Sequence, residues 1–123
     1  MTGKRAVQPG LPIEVPQLSR VVRAQLTAQI VPGWSTEAAC ASSSLPPDTW
    51  FGEPGEPRSQ AARAVCVYCP VRRACLAHAL ARDEQDGIWG GADPTDRAWL
   101  RLALTDGTPL SVVLGPAPRE AVA

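Results

Sequence analysis

With 123 residues and twelve Lys and Arg against twelve Asp and Glu, the chain has room for one small domain and carries no net formal charge. That balance argues against tight autonomous binding to a nucleic-acid backbone, which depends on several cation–phosphate contacts. A domain this small needs a metal or a crosslink to hold its fold, and thirteen prolines and ten glycines assign much of it to turns.

Residues 1–32 read as an N-terminal extension. Residues 1–15 are polar and proline-rich with no periodic apolar face, which predicts a disordered leader. Lys4 and Arg5 are followed by Pro9, Gly10 and Pro12 instead of the apolar stretch of a secretory signal. No apolar run is long enough to span a bilayer, so a cytoplasmic location is expected, where reducing conditions keep thiols available as ligands. Pro16 can open a helix over 17–31, with Leu18, Val21, Val22 and Leu26 on one stripe and Pro32-Gly33 as its stop. Such an amphipathic helix either packs on the domain or binds a partner.

Residues 33–106 carry the domain. Ser35 or Thr36 caps a short helix leading from Trp34 to Cys40. The 42–57 loop holds Trp50-Phe51, an aromatic pair that either covers a core or anchors a partner. Pro57 starts a helix running through Tyr68, and Pro70 starts another that closes at Asp86-Gly87. In the second, Leu76 and Leu80 form the apolar side, Arg72, Arg73, Arg82, Asp83 and Glu84 are solvated, and His78 is structural.

Gly87-Ile88-Trp89-Gly90-Gly91 follows as a tight turn holding one aromatic plate; it lacks the spacing of a phosphate cradle. Asp93 caps, and Pro94 opens, a last helix ending at Asp106-Gly107. Ala98, Trp99, Leu102 and Ala103 are expected inward, Arg97 and Arg101 outward. Residues 107–123 form a non-basic tail with one apolar run, Leu110–Leu114.

The chemistry concentrates in four cysteines: Cys66-x2-Cys69-Pro70-x4-Cys75 and the remote Cys40. Four thiolates suffice for a tetrahedral zinc site or a 4Fe-4S cluster. Structural zinc more often shows two short CxxC-type pairs and only one is present, so the spacing favours iron–sulfur, with zinc or disulfides as alternatives. No catalytic Ser-His-carboxylate set, HExxH or paired-carboxylate pattern is present. The one enzymatic alternative is thiol–disulfide exchange by Cys66 and Cys69 in a metal-free form, although the βαβ context of such motifs is missing.

The order Trp34, Ala39-Cys40, Trp50-Phe51, Cys66-x2-Cys69-Pro70-Val71-x3-Cys75-Leu76 and Gly87-Ile88-Trp89-Gly90-Gly91 closely resembles the WhiB-like regulators of actinobacteria and their phages, over residues 34–104. The resemblance implies a small all-α fold of about four short helices around a 4Fe-4S cluster held by Cys40, Cys66, Cys69 and Cys75, with flexible ends. It also implies transcriptional control in response to oxygen, nitric oxide or thiol redox state, with disulfides open to the freed thiols. The implied partner is the C-terminal domain of a principal sigma factor of RNA polymerase, met by Trp34, Trp50, Phe51 and Trp89. Family members are expected to bind DNA in the cluster-free state, commonly through a basic tail after the last helix. This chain lacks that tail, which leaves Arg97 and Arg101 as candidate promoter contacts. An interaction module that occupies sigma without touching DNA is the alternative.

Overall fold

A computed structural model describes residues 5–7 and 14–115. Two short strands, β1 (Arg5–Val7) and β2 (Glu14–Pro16), pair antiparallel with Ala6 opposite Val15. Val15 is 2% exposed and packs with Ala98 and Leu102 of the fourth helix. The expected disordered leader is thus corrected at residues 5–7 and 14–15, because one buried valine and a two-strand ladder anchor them. Its remaining positions, 1–4 and 8–13, lie outside the described residues.

Helix α1 (Arg20–Thr27) is shorter than the expected 17–31. Ser19, not Pro16, opens it, its Oγ accepting from the Val22 N–H at 3.2 Å. Leu26 is fully buried and joins Leu76, Leu80, Leu104 and Leu114 in the main core, while Val21 is exposed. Of the two roles open to this helix, packing is the one seen, with α1 lying on the helix Arg72–Ala81.

Three 3-10 turns follow, Trp34–Glu37, Ala39–Ser42 and Pro47–Phe51. The 42–57 loop therefore contains one regular turn, and it carries Trp50 and Phe51. Helix α2 (Pro57–Val67) begins at its predicted proline and stops at Tyr68. Pro70 and Val71 form the bend, and α3 (Arg72–Ala81) starts two residues later than expected, its axis turned 118° from that of α2. Among the described residues no single helix is long and apolar enough to cross a membrane.

α3 also ends early. Asp83 takes the left-handed conformation (φ 53°), and the Glu84 N–H reaches back to the Ala79 carbonyl at 3.0 Å, closing the helix before Gly87. Residues 84–92 are thereby freed to fold over the α2–α3 corner. α4 (Pro94–Thr105) starts as predicted on a reciprocal capping box between Asp93 and Asp96. A fifth helix, α5 (Leu110–Leu114), lies in the segment read as tail and buries Val113 and Leu114 in the main core. The boundaries drawn at 32 and 106 therefore do not divide packed from unpacked chain. The all-helical expectation holds for residues 20–114, with one strand pair added.

Candidate metal centre and aromatic face

The α2–α3 corner brings the near thiols together. Cys66 sits in the last turn of α2, Cys69 just past it and Cys75 in the second turn of α3. Cys66 and Cys69 are buried, Cys75 is half-buried and Cys40 is exposed. Cys40 arrives on the Ala39–Ser42 turn, whose Ala39 N–H donates to Cys69 Sγ at 3.3 Å. All four thiols are unpaired.

One cavity of about 640 Å³ is lined by all four cysteines and also by Trp34, Trp50, Phe51 and Trp89. Its other walls are mostly apolar or small, among them Leu45, Val65, Ile88 and Gly90, with Arg72 the single charged residue. Among the described residues no three Cys, His, Asp or Glu side chains gather closely enough to hold a lone metal ion. The donors surround a volume instead of converging on a point.

The walls also present hydrogen-bond donors. Burial pushes the Cys75 thiol up to about 12, opposed by the backbone amide of Gly90. Burial raises Cys66 as well, opposed by the Trp50 indole and the Gly91 amide. The Trp50 Nε1 is itself buried without a hydrogen-bond partner. It lies near enough to Cys66 to act on its charge but makes no bond of normal geometry. A buried, unpaired N–H beside a thiol is costly unless an acceptor shares the cavity. Four thiols, backbone amides near three of them and an unpaired indole N–H fit the donor set that a thiolate-ligated iron–sulfur cluster takes.

The aromatics divide into two kinds. Trp50 is 8% exposed and packs with Ala62, Cys66 and Ile88, so its place in an expected outer face is corrected: it belongs to a second core under the cavity. Phe51 is 58% exposed. Trp34 and Trp89 are half-buried and sandwich His78, with ring centroids 5.4 Å and 5.5 Å from the imidazole. Tyr68, inside the cysteine motif, is 88% exposed.

The turn carrying Gly87, Ile88, Trp89, Gly90 and Gly91 is stitched to both sides. The Ile88 N–H donates to the Trp50 carbonyl at 2.7 Å, and Trp89 bridges Ala92 in antiparallel fashion. Gly90 has φ +59°, and a Cβ there would stand 2.7 Å from the Arg72 carbonyl oxygen. Only a glycine lets the turn lie this close to α3. From α2, Arg63 donates to the Gly91 carbonyl at 2.8 Å and pairs with Asp93 and Asp96 at 2.7 and 2.8 Å.

Arg97 and Arg101 do not point outward. They are 0% and 4% exposed, whereas Trp99, expected inside, is 49% exposed. Arg97 donates to the carbonyls of Gly87, Ala92, Glu84 and Asp86 at 2.6, 2.6, 3.1 and 3.3 Å. Burial pulls its pKa down to about 10, with repulsion from Arg101 adding to this. Arg101 lies 3.3 Å from Asp83 without hydrogen-bond alignment. Neither guanidinium offers a surface to phosphate, so the candidate DNA contacts are corrected. Sequence reasoning missed both inward arginines and Arg63. The available signal was the spacing Arg97, Arg101, Leu104, which is that of one helix face.

Comparison with known proteins fits this layout. The family profile described as "Transcription factor WhiB" matches residues 34–100. The chain belongs to the WhiB family. It is 42% identical over 71 residues to the transcriptional regulator WhiB of Streptomyces coelicolor, covering 58% of this chain and 78% of that protein. It is 34% identical over 90 residues to WhiB2 of Mycobacterium tuberculosis, covering 73% of this chain and 98% of that one. WhiD of S. coelicolor is 43% identical over 68 residues, covering 52% of this chain and 61% of that protein. The WhiB match begins at Trp34 and so takes in all four cysteines, the glycine turn and the start of α4, but neither α1 nor α5.

Proposed function

We propose that this WhiB-family regulator holds a 4Fe-4S cluster on Cys40, Cys66, Cys69 and Cys75 and acts through the C-terminal domain of a principal sigma factor. The observation that carries the reading is that all four thiols line one cavity whose walls also carry Trp34, Phe51 and Trp89, the candidate contact aromatics that remain exposed or half-buried. When bound, the cluster would supply a crosslink sensitive to oxygen and nitric oxide. The chain's own part is to shape the cavity. Ala39 orients Cys69, Gly90 and Gly91 aim amides at Cys75 and Cys66, and Trp50 closes the floor. Trp34, Phe51 and Trp89 then stand as the partner face, with Trp34 and Trp89 held by His78. Four reduced thiols suit the cytoplasm as the working compartment.

Burial of Arg97 and Arg101 favours a second reading, that the protein occupies sigma without touching promoter DNA. Thiol–disulfide exchange is less well supported, because Cys66 and Cys69 are 7% and 8% exposed and exchange needs an accessible thiolate. Anaerobic purification tests the main reading: iron and acid-labile sulfide are expected, and each Cys→Ser variant should lose them. Colourless protein with zinc and no sulfide would reject it. Pull-down of the sigma domain, weakened but still measurable in Trp89→Ala, tests the partner. Footprinting with and without the sigma-containing polymerase separates the two readings, since only a regulator touching DNA should extend protection upstream.

A further inference from the structure

Arg97 is fully buried, and its four hydrogen bonds all go to backbone carbonyls of one nine-residue segment, 84–92. None of these acceptors carries a formal charge. A buried cation carries a desolvation cost that its hydrogen bonds must offset, and an apolar side chain of similar size would avoid that cost but leave the carbonyls without this donor. The placement of the four carbonyls shows what the guanidinium does instead. Its Nη1 takes Gly87 and Ala92, the residues at the two ends of the glycine turn, and so closes the mouth of that turn. Its Nη2 reaches Glu84 and Asp86, fixing the approach.

The Asp86 carbonyl is shared. It also accepts the Trp89 indole N–H at 2.9 Å, so one oxygen joins the buried guanidinium to the aromatic plate. The far side of the same turn presents the Gly90 and Gly91 amides to Cys75 and Cys66. We infer that Arg97 is a positioning residue, the post that holds the glycine turn so that Trp89 stands at the cavity rim. This rests on the reading of Trp89 as a partner contact. The planar fork of arginine matters because Nη2 reaches Glu84 and Asp86 while Nη1 holds Gly87 and Ala92, and the one nitrogen of lysine cannot sit at both places.

The test uses the full chain, prepared anaerobically, with Arg97→Lys, Trp89→Ala and the double variant. Arg97→Lys should keep the helix content and iron of the wild type but bind the sigma C-terminal domain about tenfold more weakly; on the Trp89→Ala background the same change should shift affinity less than about twofold. An equal loss on both backgrounds, or no loss on either, overturns the inference. Should the wild type fail to bind sigma, the partner reading falls, and Arg97 is judged by solvent exchange of the Trp89 indole proton. Exchange about tenfold faster in Arg97→Lys supports the post, and an unchanged rate removes it. Should the lysine variant not fold, the wild type decides alone: Arg97 Nη protons protected from exchange support the inference, and rapidly exchanging ones overturn it.

Discussion

Replacing Gly90 by alanine puts the packing of the glycine turn on α3 under direct strain. The backbone there is left-handed, φ +59°, where an L side chain costs about 1–2 kcal/mol. The added Cβ would also stand 2.7 Å from the Arg72 carbonyl oxygen, 2.7 Å from Leu76 Cβ and 2.9 Å from the Leu76 nitrogen. Two of those atoms are α3 backbone and cannot rotate aside, so the turn must lift, an overpacking cost of about 1–3 kcal/mol. Gly107 is the control, with φ +94° and nothing within 4 Å, so that Gly107→Ala carries the backbone cost alone. Both substitutions restrict the unfolded chain equally, and that contribution cancels. At about 4 °C per kcal/mol, Gly90→Ala should melt about 4–12 °C below Gly107→Ala. Paired thermal melts followed by far-UV circular dichroism, on preparations matched for iron, measure this. Equal melting temperatures would refute the close approach of the turn to α3.

Three further outcomes are expected. Leu26→Ala, at a fully buried site in α1, should cost about 2–5 kcal/mol in denaturant unfolding, whereas Val21→Ala on the exposed side should stay within about 0.5 kcal/mol; equal effects would show that α1 is not part of the core. Asp93→Ala should destabilise by about 1–2 kcal/mol through loss of the α4 cap. Asp93→Asn, which keeps an acceptor for the Asp96 amide but not the charge facing Arg63, should fall between it and the wild type by the same measurement. Glu56 is held below its ordinary value of 4.5, first by its hydrogen bond from Arg58 and then by the Glu53 amide. A depressed carboxylate stabilises the fold above its unfolded pKa and stops doing so as pH falls through the folded one. The advantage of wild type over Glu56→Gln should therefore be present at pH 7 and fade as pH falls below the ordinary value of 4.5 and through the lowered one, as followed by urea midpoints; an advantage that persisted after the carboxyl is protonated would contradict the pairing.

Much of the site was legible because its signals are local. Pro57, Pro94 and the Asp93 cap mark helix starts within a few residues of themselves, and α2 and α4 begin where they say. The end of α3 was misplaced because Asp83, a non-glycine residue, adopted the left-handed turn before Gly87 was reached. The leader and tail were read as unpacked because one valine and a five-residue apolar run look unremarkable alone. Val15 and Leu114 gain meaning only from Ala98 and from Leu76 and Leu80, which lie far away in sequence.

What the sequence determined by itself was the grouping of three cysteines at the α2–α3 corner and the turn, since cysteine spacing and clustered glycines are written along the chain and fix local geometry. Which side α4 shows to solvent was decided only in three dimensions. Charge predicted Arg97 and Arg101 outside and Trp99 inside, and the fold reversed all three. The reason is physical: the 84–92 segment turns four carbonyls toward α4, and the Arg97 guanidinium donates to all four of them, which the single N–H of a tryptophan could not.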